Sequence, residues 1–236
     1  MNPEVMAAAG LGRCMRDFEV EGSALQISAP EVTARAECGP GPRWGVAVAA
    51  AIAEVQALSH PRARVRMLED DELSLLLIDD TPVLDIARAG YRWAFVATLG
   101  CGPERQVREH FDQKRFLEGV LLDAAASVAV EALCGLLEQD CTRQVAHHSG
   151  EARCFSPGYC AWALAAQAPL LSLLGAHDLG ITLEPSLFML PLKTVSGMVV
   201  HALSHDLQVP SRVCAACTSR RFCRRHPHDI KERREP

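Results

Sequence analysis

Three things are missing from this sequence. No basic stretch leads into an apolar run near its start, no apolar stretch is long enough to cross a bilayer unbroken, and basic residues are not in excess. The first absence argues against a secretory signal. The second argues against a membrane span, because VAVAAAIAEVQAL and FLEGVLLDAAASVAVEALCGLL are interrupted by acids. The third, a formal net charge of −5 and a pI near 6.0, argues against nucleic-acid binding by the body of the protein. No internal repeat is visible, which excludes solenoids. A cytoplasmic location is the expectation. Aromatics are scarce at 5%, and Tyr91 and Tyr159 are the two tyrosines.

What is present is a chain of 236 residues, 49% of them hydrophobic, enough for a substantial core. Of its 10 cysteines, most are scattered through apolar patterns, where buried free thiols are the ordinary explanation. The last three lie in a basic C-terminal stretch and form a separate pattern.

Residues 1–43 carry no sustained periodicity and hold Gly39, Pro40, Gly41 and Pro42, so they read as a loosely structured lead-in. A helix is predicted from Gly45 to Leu58. ELSLLLIDD (72–80) and RWAFVATLG (92–100) read as buried strands, with a short helix over Val83 to Arg88 between them. A long helix should run from about Glu104 to Val145, broken near Asp112. Within it Asp123, Ser127 and Glu131 recur every four residues and share one face, which is either functional or simply solvated. His147 and His148 fall in the loop that follows. Cys160 to Leu174 reads as a packed helix, and TLEPSLFMLP and LKTVSGMVVHAL as two strands turning at Pro191. This order predicts an α+β (mixed α/β) fold, with a domain over residues 44–205 and a cysteine-rich basic tail over 206–236.

AFVATLGCGPE has the outline of a Rossmann-type glycine turn, but Thr98 and Glu104 stand where an acid and a third glycine belong. A strand end turning into a helix is the simpler reading. RCFSPGYC (153–160) is more specific. Proline fixes one φ, glycine permits a positive one, and the turn exposes backbone N–H groups. A nearby arginine can grip a carboxylate with two hydrogen bonds, and a tyrosine offers a ring face and a hydroxyl. A zwitterionic ligand with a flat ring would suit such a site, and a plain connecting turn is the alternative.

RCFSPGY, the apolar helix after it and LGITLEPSLFMLPLKTVSG together resemble the activation domain of cobalamin-dependent methionine synthase. FVATLG and LLDAAASVAVEAL are similar to free-standing members of that family, and the resemblance covers roughly residues 75–200. It implies a bent β-sheet with long packed helices and binding of S-adenosylmethionine. Arg153 would hold the methionine carboxylate, Pro157, Gly158 and Tyr159 would face the rest of the ligand, and Glu131 its cationic end. It further implies a separate cobalamin-binding methyltransferase, most simply methionine synthase, as partner. The chain would be its accessory subunit, presenting the ligand's methyl group to the partner's cobalamin while an electron donor reduces it. The family spacing puts arginine five residues before tyrosine. Here Cys154 has that place and Arg153 precedes it, so either the chain bulges by one residue or the carboxylate contact differs. No further tyrosine follows TVSG, and Pro185 stands where threonine is common.

In the tail, Cys214, Cys217, Cys223 and His226 have the spacing of a metal site, either zinc or, with an outside ligand, an iron–sulfur cluster. A flexible basic tail with reactive thiols is the alternative. A short zinc knuckle binding nucleic acid is disfavoured, since Phe222 is the lone aromatic there. Two other functions remain open: a metal-stabilised interaction module that keeps the fold without the ligand, and a reactivation partner for another corrinoid methyltransferase.

Overall fold

The computed structural model describes residues 15–38, 42–76, 82–88 and 90–207. Its centre is a five-stranded antiparallel sheet in the order β1-β2-β3-β7-β4, formed by β1 (Met15–Glu19), β2 (Arg62–Met67), β3 (Tyr91–Thr98), β4 (Glu151–Phe155) and β7 (Thr194–Ala202). β5 (Thr182–Leu183) and β6 (Met189–Leu190) make a separate small hairpin. The helices are α1 (Ala29–Arg35), α2 (Gly45–Leu58), α3 (Asp70–Leu76), α4 (Pro82–Arg88), α5 (Gly102–Asp112), α6 (Phe116–Gln144) and α7 (Gln167–Leu173).

All eight residues of β3 are buried, because helices cover both faces of the sheet. Tyr91, Trp93, Phe95 and Ala97 join one core with α2 and α6, while Ala94 and Val96 join a second core with α3, α4 and α7. β2 shows the same alternation with a polar twist. Ala63 and Val65 enter the first core, whereas Arg62, Arg64 and Arg66, which alternate with them, point to the second face. There Arg64 Nε lies 2.5 Å from Asp17 Oδ1, and Nη1 donates to the carbonyls of Leu174 and Gly175 just past α7. That guanidinium holds the Asp17 carboxyl below its ordinary range.

α6 is long and apolar enough to cross a membrane, yet 61% of its most apolar window is buried inside the fold. It is the core helix of the first layer. The predicted helix over Gly45–Leu58, the break near Asp112, and the strand and helix flanking the glycine turn all appear as expected. The antiparallel sheet also removes the Rossmann alternative, which needs parallel strands.

Four readings change. ELSLLLIDD, expected to be a strand, begins inside α3 and is helical through Leu76; Asp70, Asp71 and Glu72 favour a helix N-terminus, and Leu73 and Leu76 bury one helical face. A short apolar run does not reveal which period it obeys. Residues 15–38, read as a lead-in, contain β1 and α1, with Val32 fully buried against the first core. The helix expected over Cys160 to Leu174 starts only after a 3-10 turn at Leu164–Ala166. TLEPSLFMLP, expected to be one strand, folds back on itself as the β5–β6 hairpin.

His201 of β7 lies under the sheet edge at 2% exposure, and its Nε2 has no hydrogen-bond partner. Beside it, Tyr91 hydrogen-bonds His148 at 2.7 Å. Burial and the neighbouring His148 lower the pKa of His201, so the fold holds it neutral. Its contribution to stability is complete above the ordinary histidine pKa of about 6.5 and is lost as the pH falls from there through the lower folded-state value, because in that interval only the unfolded chain readily takes the proton. Thermal melts should therefore show a smaller drop in Tm between about pH 7.5 and about pH 5.5 in His201→Leu than in the parent. An equal drop would refute this role.

Candidate functional site

β4 is shorter than its neighbour. It pairs with Met198–Ala202 of β7 in unbroken register, Arg153 opposite Val200 and Cys154 opposite Val199, so the strand carries no one-residue bulge. Before Met198 the edge of β7 extends past the end of β4, and among the described residues no strand covers it there. Gly197 permits this departure: a Cβ on it would come 2.0 Å from the Phe155 carbonyl oxygen. The uncovered edge of β7 has the turn that follows β4 near its end, and α6 packs across the first face of β7 and β4.

The turn is rigidly held. Gly158 has φ of +88° and donates its N–H to the Trp162 carbonyl at 2.7 Å, while Trp162 N–H returns to Tyr159 O at 2.9 Å. Cys160 and Ala161 also have positive φ, a conformation that costs a non-glycine residue about 1 kcal/mol or more. The anchor is Trp162, buried in the second core, whose Nε1 donates to Leu76 O at 2.8 Å. Pro157 is buried in the turn, and Tyr159 is left 44% exposed at its tip.

On the α6 side, the polar stripe is engaged along its length. Lys193 Nζ lies 2.7 Å from Asp123 Oδ1 and donates to Ser127 Oγ at 2.9 Å. Glu131 pairs with Arg35 of α1 at 2.5 Å, and Glu138 accepts the Cys154 N–H at 2.6 Å. Along α6, Glu131 lies between Ser127, which meets Lys193 just ahead of β7, and Glu138, which meets β4.

Arg153 is elsewhere. It shares the second face of the sheet with Val200, donating to Leu207 O at 3.3 Å and to Glu151 at 2.9 Å. Cys154 takes the position facing α6, buried with its thiol toward the Cys134 carbonyl. The structure thus puts the Arg153 guanidinium on the face of the sheet away from α6 and Glu131, and leaves Pro157, Gly158 and Tyr159 in the turn after β4. On the second face, a largely apolar pocket of about 210 Å³ opens beside the turn, between Leu164 and the β5–β6 hairpin. Gln167 on its wall is buried, and its Oε1 has no partner.

Sequence reasoning missed Trp162, Lys193 and Arg35. Trp162 had a signal, as a rare aromatic two residues past the motif; Arg35 had none, sitting in a segment without periodicity. No group of three or more metal-ligating side chains occurs among the described residues. Cys214, Cys217, Cys223 and His226 lie outside them.

If Trp162 fixes the turn, Trp162→Ala should destabilise the fold by about 3–5 kcal/mol in urea denaturation. Trp162→Phe, which keeps most of the apolar body and loses the hydrogen bond, should cost far less. Equal losses would deny the packing role.

No family model matches the sequence, and no curated protein matches it. The fold does match a crystal structure of the MetH reactivation domain bound to AdoHcy, at 17% sequence identity and a TM-score of 0.63, over 89% of this chain and 86% of that one. The chain therefore has the fold of the MetH reactivation domain.

Proposed function

We propose that this chain binds S-adenosylmethionine in the cleft between the 156–159 turn, the free edge of β7 and α6, and supports reactivation of a cobalamin held by a separate methyltransferase, most simply methionine synthase. The observation that carries the reading is the fold match along nearly the whole of both chains to a domain whose structure holds AdoHcy, the demethylated form of that ligand. The site chemistry agrees with it. The exposed Tyr159 ring offers a flat apolar face on a firmly held turn, and Glu131 offers a carboxylate to the ligand's cationic end. Arg153, on the opposite face of the sheet from Glu131, has no direct part in this arrangement.

The chain's own contribution is positioning: it holds the methyl donor rigidly and open to solvent on one side, where a partner can approach. The partner's cobalamin would supply the chemistry: with one electron from a donor protein it would accept the ligand's methyl group, and S-adenosylhomocysteine would be left on this chain. The described cysteines are all free thiols, in keeping with a cytoplasmic setting.

One observation favours a second reading, an interaction module that keeps the fold without the ligand: Cys154, buried toward α6, stands at the sequence place, five residues before the tyrosine, that an arginine holds in the resembling family. Titration calorimetry separates the two. S-adenosylhomocysteine should bind the full chain, and Tyr159→Ala should weaken it about tenfold or more, equivalent to about 1.4 kcal/mol. Absence of binding to the parent would leave the module as the function.

The tail belongs to either reading as a metal site of Cys214, Cys217, Cys223 and His226. Purified protein should contain metal at about one site per chain, and Cys217→Ser should remove it. Visible absorption would identify an iron–sulfur cluster, a colourless sample zinc, and a metal-free parent would refute the site.

A further inference from the structure

We infer that Arg35, from the N-terminal helix α1, supplies the carboxylate grip of the proposed ligand site, forming with Glu131 a paired clamp for the ammonium and carboxylate of an amino-acid group. The inference rests on the reading of the cleft as an S-adenosylmethionine site. Its ground is a deficiency in that site: the cleft side of the sheet carries Cys154 where a guanidinium would be useful, and Arg153 is on the other face.

Three described cations pair with carboxylates on α6. Lys193 is only 13% exposed and satisfied by Asp123 and Ser127. Arg16 pairs with Asp140, nine residues beyond Glu131 and so about 13 Å further along the helix. Arg35 stands at Glu131 itself, 30% exposed, with its Nη2 2.5 Å from the Glu131 carboxylate.

A guanidinium has five N–H donors in a planar fork, and the contact to Glu131 uses a fraction of them. Arg35 Nε is shielded from solvent and has no partner, so the grip on a carboxylate falls to the two terminal nitrogens of the fork. Val32, one turn earlier in α1, is fully buried against the first core, which fixes the helix that carries the arginine. Adjacent acid and base, both half open to solvent, are complementary to a zwitterion: the ligand's ammonium meets Glu131 and its carboxylate meets Arg35.

The test is calorimetric titration of the full chain with S-adenosylmethionine and with decarboxylated S-adenosylmethionine, which keeps the sulfonium, the adenosine and the amine and lacks only the carboxylate. Arg35→Ala should weaken S-adenosylmethionine about tenfold or more while changing the decarboxylated ligand by less than about twofold. Arg35→Lys, which retains the charge and loses the fork, should fall between the parent and Arg35→Ala and guards against a folding artefact. Arg153→Ala should bind both ligands as the parent does. An equal effect of Arg35→Ala on both ligands, no effect on either, or a carboxylate-selective loss in Arg153→Ala would overturn the inference while leaving the site reading intact. Failure of the parent to bind either ligand would overturn the site reading, and the clamp with it.

Discussion

The constraint on which the rest depends is the burial of the β3–β7 pair on both faces. Eight consecutive buried residues of β3, and nearly as continuous a run in β7, require apolar cover above and below. α2 and α6 provide it on one side, and α3, α4 and α7 on the other. Two cores result, and the sheet between them is a partition. Whether two side chains can share a site is then decided by strand parity, since successive residues face opposite layers.

That parity governs the central question about the motif. In a regular antiparallel register a displacement of one residue is a change of face, so Arg153 and Cys154 cannot stand in for each other. Arg153 turns to Leu207 and Glu151 in the second layer, while Cys154 closes against α6 in the first. Only a bulge could have reconciled them, and the pairing with β7 has none. Part of the β7 edge is left uncovered because β4 stops short of the full length of β7 and Gly197 lets the chain cross as it leaves. Trp162 then pins the departing turn to Leu76 across the second core.

The stripe on α6 also acquires a meaning that helical periodicity could not assign. Asp123, Ser127, Glu131 and Glu138 are neither an idle solvated face nor one ligand set. They meet, in order, the start of β7, the helix α1 and the strand β4. The N-terminal segment is part of this arrangement through Arg16, Val32 and Arg35, tying β1 and α1 to the same long helix.

Local chemistry determined a good deal by itself. Helical periodicity marked α2, α5 and α6, β-formers marked β3, and Pro-Gly-Tyr marked a turn, because each signal is carried by neighbouring residues. The ordered motifs pointed to the fold that the structural match bears out. α3 was misread because four consecutive apolar residues fit either period, and β1, β2 and α1 were missed because short elements draw their stability from distant partners. What only the tertiary structure decided was facing: that Arg153 and Glu131 lie across a sheet from one another, and that Arg35 reaches Glu131 from 96 positions away. Proximity of that kind arises from packing helices on both sides of a sheet, and no local pattern encodes it.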